Sequence, residues 1–358
     1  MSTSRRLAVL GGVIVLLFLA GCRPPPPAEA DSSDVDLDGP RHRVSGPYRH
    51  ENLTVFLVHS EKQDKRDFLT LDEGLKDGVV KITEMDQEAV RELQFDNQSD
   101  RPLYLQEGER LYGGKQDRTI ALSMVVPPKS GKVGVPTFCI EQSRWEEGDK
   151  GRAFGFTVNS ALAPKGVRGA AKFESNQPGV WHCVSVQKKS ASTKALASNT
   201  NSSANELLDA PRVQKISQEY AGALSEALDD HRDAVGVVIV VNGLIEEANV
   251  YPNHALLRKL YPRLVRSYAV QGALLGDLGR SERRVSAEDV ARFLKAGDVN
   301  SRRDRKVGKH NEVQVSELED SKFRCVTRYD GKPVHWQMMK KNGSARGAVA
   351  GEVLGTDW

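Results

Sequence analysis

Two short segments of this sequence concentrate side chains able to do chemistry. The first runs from Glu107 to Arg118 and holds Glu109, the glycine pair Gly113-Gly114, Gln116 and Arg118. The second runs from Pro136 to Trp145 and holds Cys139, Glu141 and Arg144. Carboxylates such as Glu109 and Glu141, if brought close, split their pKa values and work as acid and base, or share a divalent cation. Arg118 and Arg144 offer planar guanidinium forks that fit phosphate or carboxylate. Gln116 adds a neutral hydrogen-bonding partner, and Gly113-Gly114 a turn through which backbone amides approach a ligand. The same residues also have a structural reading, since Glu–Arg pairs at strand ends pin sheets together and glycine pairs turn the chain. Ligand binding, catalysis and a purely structural role all stay open on the residues alone. Cys139 has no base at a recognisable spacing and reads as a core cysteine, and Trp145 reads as a packing residue.

Together the two segments resemble the ARG-and-rhodanese-phosphatase-superfamily-associated domain. The resemblance rests on Gly108-Glu109, the pair Gly113-Gly114, Gln116-x-Arg118, Cys139-x-Glu141 and Arg144-Trp145. Gln177, Trp181, the Arg263–Tyr268 stretch and Val334-His335 are similar to that pattern as well, so it covers the chain from about residue 50 to 340. The resemblance implies no settled activity. The family is named for gene neighbours that include ADP-ribosylglycohydrolases, which implies a connection to nucleotide or ADP-ribose metabolism.

The elements that must position these residues can be read from periodicity. Leu53–Val58, Leu93–Asn97, Leu103–Leu105, Ile120–Val126 and Val133–Ile140 are short apolar runs between turn residues, the pattern of a sandwich- or barrel-like sheet. Val213, Ile216, Tyr220, Leu224 and Leu228 recur at helical spacing, as do Leu256, Leu257, Leu260, Leu264, Val265 and Tyr268, with a kink expected at Pro262. Asn242-Gly243 lies between the apolar runs Val235–Val241 and Leu244–Val250, and Asp330-Gly331 between Phe323–Tyr329 and Pro333–Met338. Both dipeptides predict tight hairpins. Ser286 opens a third helix, with Asp289 in its first turn and Gly297 past its end. The fold class expected is α+β, a β-rich N-terminal half followed by a mixed helix and hairpin C-terminal half. A Ser/Ala/Asn-rich stretch at about 188–207 reads as a flexible internal loop, and residues 341–358 as a tail.

The first residues address the compartment. Arg5 and Arg6 precede an almost wholly apolar run, Leu7 to Ala20, which matches a signal-peptide core and is shorter than a membrane-spanning helix. Leu19-Ala20-Gly21-Cys22 then resembles the lipobox of bacterial lipoproteins. Cleavage after Gly21 and lipid on Cys22 are therefore expected, with residues 1–21 as signal peptide and 22–50 as an extended Pro/Ser/Asp-rich spacer. The folded part, 51–340, would then be held outside the cytoplasm at a cell or outer membrane. Losing Arg5 and Arg6 lowers the formal charge from +3 to +1, a near-neutral balance that argues against nucleic acid as a partner.

The remaining cysteines, Cys139, Cys183 and Cys325, are odd in number, so at most one disulfide is expected. Their spacing suggests no metal site, and neither does that of His182, His231, His254 and His335. Arg302 to Lys306, with Lys309 and His310, reads as a solvated basic loop. Three functional expectations follow: a domain binding a small anionic ligand at Glu109, Gln116, Arg118, Glu141 and Arg144; a hydrolase using Glu109 or Glu141 as base or metal ligand; or a non-catalytic structural or interaction lipoprotein.

Overall fold

A computed structural model describes residues 31–37, 41–85, 91–114, 116–141, 156–194, 196, 204–275, 284–295 and 297–341. Cys22, Arg144 and Trp145 lie outside the described residues. The strands of the first half are β1 (Asp31–Asp36), β2 (Arg41–His50), β3 (Leu53–His59), β4 (Leu69–Thr70), β5 (Val80–Glu84) and β6 (Glu92–Asn97). They continue with β7 (Leu103–Leu105), β8 (Arg110–Tyr112), β9 (Arg118–Ile120), β10 (Met124–Val126), β11 (Lys132–Cys139) and β12 (Thr157–Val158). The second half supplies β13 (Ala234–Val241), β14 (Leu244–Val250), β15 (Val299–Val307), β16 (Asn311–Leu318), β17 (Lys322–Tyr329) and β18 (Lys332–Lys340). Helices are α1 (Leu71–Lys76), α2 (Lys165–Gly169), α3 (Gln177–Thr193), α4 (Ala204–Asp209), α5 (Pro211–Ala223), α6 (His254–Leu275) and α7 (Ala287–Leu294). A π-helical turn, Ala170–Glu174, joins α2 to the start of α3.

The fold is α+β. A nine-stranded sheet has the order β1-β2-β3-β13-β14-β18-β17-β16-β15, with every neighbouring pair antiparallel. A six-stranded sheet, β12-β8-β9-β11-β6-β5, and a three-stranded one, β10-β7-β4, complete the strands. Asn311 ties the small sheet to the large one, its side chain bonding both the amide and the carbonyl of Val125 at 2.8 Å.

Strand β13 is buried along its whole length, because both faces of the large sheet are covered there. Val237, Ile239 and Val241 join the apolar cluster that includes Leu257, Leu260 and Leu264 of α6, while Val238 and Val240 on the other face join the one that includes Val290 and Leu294 of α7. A continuous apolar run is what such a two-sided strand requires. The hairpin joining β13 to β14 turns on Asn242 and Gly243, both with positive φ (52° and 75°), as the Asn-Gly signal demands. Helix α7 begins at Ser286 as expected and carries a capping box there, the Ser286 hydroxyl accepting from the Asp289 amide while Asp289 accepts from the Ser286 amide. Pro262 lies inside α6. No helix among the described residues is long and apolar enough to cross a membrane.

The structure corrects three expectations. The spacer expected over 22–50 contains β1 and β2, because Val35, Leu37 and Val44 are buried and β2 pairs along β3. Their alternation with polar residues suits a sheet edge, where one side stays wet. The loop expected at about 188–207 is helical through Thr193 and again over Ala204–Asp209, with Lys188 and Ala191 buried. Finally, Arg302 to Lys306 belongs to the exposed edge strand β15 rather than a loop, and charges along such an edge discourage pairing with other chains.

Candidate functional site

Between the large sheet and the loop joining β7 to β8 lies a buried set of charges. Glu247 and Asn249 on β14 share one face with His335 and Gln337 on the neighbouring β18, since Asn249 sits opposite Gln337. Arg168 on α2 reaches this face and clasps Glu247, Nη1 to Oε1 at 2.8 Å and Nη2 to Oε2 at 2.5 Å. Arg168 Nη1 also donates to Glu107 Oε1 at 3.3 Å, and Tyr268 on α6 donates its hydroxyl to Glu247. Lys172, in the π-helical turn, pairs with Glu107 and donates to Gln337. Gln337 Nε2 donates to Glu107 Oε1 at 2.5 Å and Glu247 Oε1 at 2.7 Å.

Two further pairs flank this core, Lys165 with Glu246 at 2.5 Å and Arg263 with Glu109 at 2.8 Å. Four carboxylates thus face four cations, all buried. Such a set is tolerable in a low-dielectric interior because each charge has an opposite one, and Glu107, Arg168, Lys172 and Glu247 have further hydrogen bonds besides. Burial raises the Glu247 carboxyl, but the Arg168 guanidinium outweighs it and holds the group down at about 2. Glu109 has less help: burial pushes it up to about 7 against the pull of Arg263 and the Gln106 amide.

A second cluster occupies the six-stranded sheet. Arg118 on β9 lies opposite Cys139 on β11, and its Nη1 donates to Cys139 Sγ at 2.8 Å and to Gln116 Oε1 at 3.3 Å. Glu84 Oε2 stands 3.7 Å from Nη2. The Arg118 side chain is 1% exposed, yet its Nε has no hydrogen-bond partner among the described residues. Burial pushes the Cys139 thiol up, with Arg118 pulling it the other way, so the sulfur beside the guanidinium is a neutral thiol. Gln177, at the start of α3, brackets the Cys139 peptide, accepting from its amide at 2.9 Å and donating to its carbonyl at 2.7 Å. Glu141 Oε2 accepts from the Asp117 amide at 3.5 Å. Asp117 in turn accepts from Asn205 at 2.7 Å, and Asn205 accepts from Arg110 at 2.6 Å.

The structure therefore brings Gln116, Arg118, Glu141 and Cys139 together and separates Glu109 from them. Glu109 turns into the charged core, where its acid and base chemistry faces Arg263 rather than Glu141. Arg168, Lys172, Glu247 and Gln337 were missed as site residues. For Glu247 and Gln337 the signal is a mismatch of pattern, since Glu246, Glu247 and Asn249 in β14 and His335 and Gln337 in β18 set polar residues among buried apolar ones. Cys139, Cys183 and Cys325 are free thiols. His231 and Asp233, far from His59 in sequence, are brought beside it by the pairing of β3 with β13.

These features define an α+β domain whose sheets are joined across a compensated ionic core. Residues 41–339 match the family model described as the ARG and Rhodanese-Phosphatase-superfamily-associated Protein domain, and the chain belongs to that family. No curated protein and no solved structure gives a significant match.

Proposed function

We propose that this chain is a lipid-anchored protein of the cell envelope whose domain binds a small anionic ligand at Arg118, with Gln116 and Glu141 beside it. The observation that carries the reading is the state of Arg118. Its buried guanidinium is faced by a thiol, an amide and a carboxylate 3.7 Å away, and its Nε has no hydrogen-bond partner among the described residues. A buried guanidinium so placed gains from a phosphate or carboxylate that fills its fork. The family's gene neighbours favour nucleotide- or ADP-ribose-like anions. The anchor draws its support from Leu19-Ala20-Gly21-Cys22 and the apolar run before it.

The test is a thermal-shift panel of nucleotides, ADP-ribose, phosphosugars and divalent cations. A ligand at a hundred times its dissociation constant stabilises by about 2.7 kcal/mol. An anion should shift the native protein and leave a folded Arg118→Ala variant unmoved. Silence across the panel would favour a structural or interaction lipoprotein. For the anchor, labelled palmitate should enter the native chain and not a Cys22→Ala variant.

A second reading, hydrolysis with Glu109 as general base, draws on its carboxyl standing near 7, a value suited to proton transfer at neutral pH. Against it, Glu109 is held by Arg263 and does not share the Arg118 cluster.

A further inference from the structure

Away from both clusters, the end of β3 meets the turn before β13. His59 closes β3, and the turn carries His231 and Asp233, held by backbone bonds from His231 to the Leu228 carbonyl and from Ala234 to the His231 carbonyl. One ligand atom from each of His59, His231 and Asp233 falls within 4.8 Å of the other two. The two imidazole rings stand edge to face, with centroids 5.3 Å apart.

Each ring is fixed from behind by a hydroxyl. Ser45 Oγ lies 2.6 Å from His59 Nε2, and Tyr48 Oη lies 2.6 Å from His231 Nε2. Both hydroxyls come from β2, and together they leave Nδ1 of each ring as the ligand atom. His59 Nδ1 is 2.9 Å from Asp233 Oδ1, near the ligand-to-ligand spacing around an ion with bonds of about 2.0–2.2 Å. Arg43 takes the other carboxylate oxygen, donating to Asp233 Oδ2 at 3.2 Å, and so orients Oδ1. Outer bonds of this kind, aiming ring nitrogens and carboxylate at one point, are the usual second layer of a metal site.

The same bonds also trace a Ser45–His59–Asp233 relay. Ser45 is 1% exposed, so its hydroxyl is closed to a substrate and acts as the outer partner of His59. Asp233, by contrast, is 46% exposed, which gives an ion a way in and leaves room for water ligands.

We propose that His59, His231 and Asp233 form a site for a divalent first-row transition ion such as zinc, two imidazoles and one carboxylate with the remaining positions open to water. Imidazole with carboxylate suits that class of ion better than calcium or magnesium. Binding moves the proton between His59 Nδ1 and Asp233 Oδ1 to His59 Nε2, where Ser45 Oγ accepts it, so His59 stays a neutral imidazole with Nδ1 turned to the ion.

The test uses the full chain, dialysed against chelator and then equilibrated with Zn²⁺, with bound metal counted by mass spectrometry. One zinc per chain is expected. The His231→Ala and Asp233→Asn variants, both altered at partly exposed positions, should lose affinity at least tenfold, and Tyr48→Phe by roughly ten- to a hundredfold. Cobalt in place of zinc should give a visible spectrum without the thiolate charge-transfer band, which excludes capture by cysteine even if a variant folds poorly. No stoichiometric uptake overturns the proposal. So does uptake that both variants retain, or a cobalt spectrum carrying the thiolate band.

Discussion

Arg168 and Glu247 meet as a two-pronged ion pair sealed between the large sheet and α2, with Tyr268 and Asn249 bonding the same carboxylate. Removing one member leaves its partner charged in a medium that cannot solvate it. Glu247→Gln or Arg168→Met should each lower unfolding stability by about 3–5 kcal/mol. Urea titrations of the two variants check this, and a loss below about 1 kcal/mol would show the pair to be dispensable.

Two of the buried glutamates, Glu247 and Glu109, should respond oppositely to pH. Glu247 titrates at about 2 when folded, below its ordinary 4.5, so the folded state binds its proton less readily. Its contribution is full above 4.5 and is lost as pH falls towards 2. Glu109 is raised to about 7, so its contribution is full below 4.5 and is lost as pH rises to 7. Glu109→Gln should therefore flatten the decline in stability between pH 4.5 and 7 without altering the acid limb. Denaturant midpoints across that range decide it, and an unchanged slope would contradict the raised value.

Gly108, between Glu107 and Glu109, has φ of 82°, and a Cβ built there would collide with the Cδ of Arg168. Alanine at this position must adopt an unfavourable backbone and also push aside the arginine that holds Glu247. Gly108→Ala should cost more than the about 1 kcal/mol typical of a left-handed glycine alone. Combining it with Arg168→Met should give less than the sum of the two losses, as neighbours in one network do.

The thiols of Cys139 and Cys325 are buried and raised, and Cys183 is pushed up to about 11 by burial. Since the thiolate is the reactive form, none of the three should react with a thiol reagent in the native protein at neutral pH. All three should react once the chain is unfolded, without prior reduction. Rapid native labelling at Cys139 would mean that the Arg118 cluster is open.

Much of the scaffold was legible in the sequence for local reasons. The Asn242-Gly243 and Asp330-Gly331 turns, the Ser286 cap and the α6 stripe each depend on residues within a few positions of one another, and each was found where expected. Burial of β13 on both faces was likewise written in its unbroken apolar run. The hallmark segments also identified the family, because motif spacing is itself a sequence property.

What the sequence did not decide is which charges meet. Glu109 and Glu141 lie in adjacent motifs, yet one bonds Arg263 from α6 and the other bonds the Asp117 amide. His59 and Asp233 are 174 residues apart and share a hydrogen bond only because β3 pairs with β13. Ion pairs of this kind act over a few ångströms while their partners are far apart along the chain. Only the packing of sheet against helix sets those distances, so only the tertiary structure decided which charges meet.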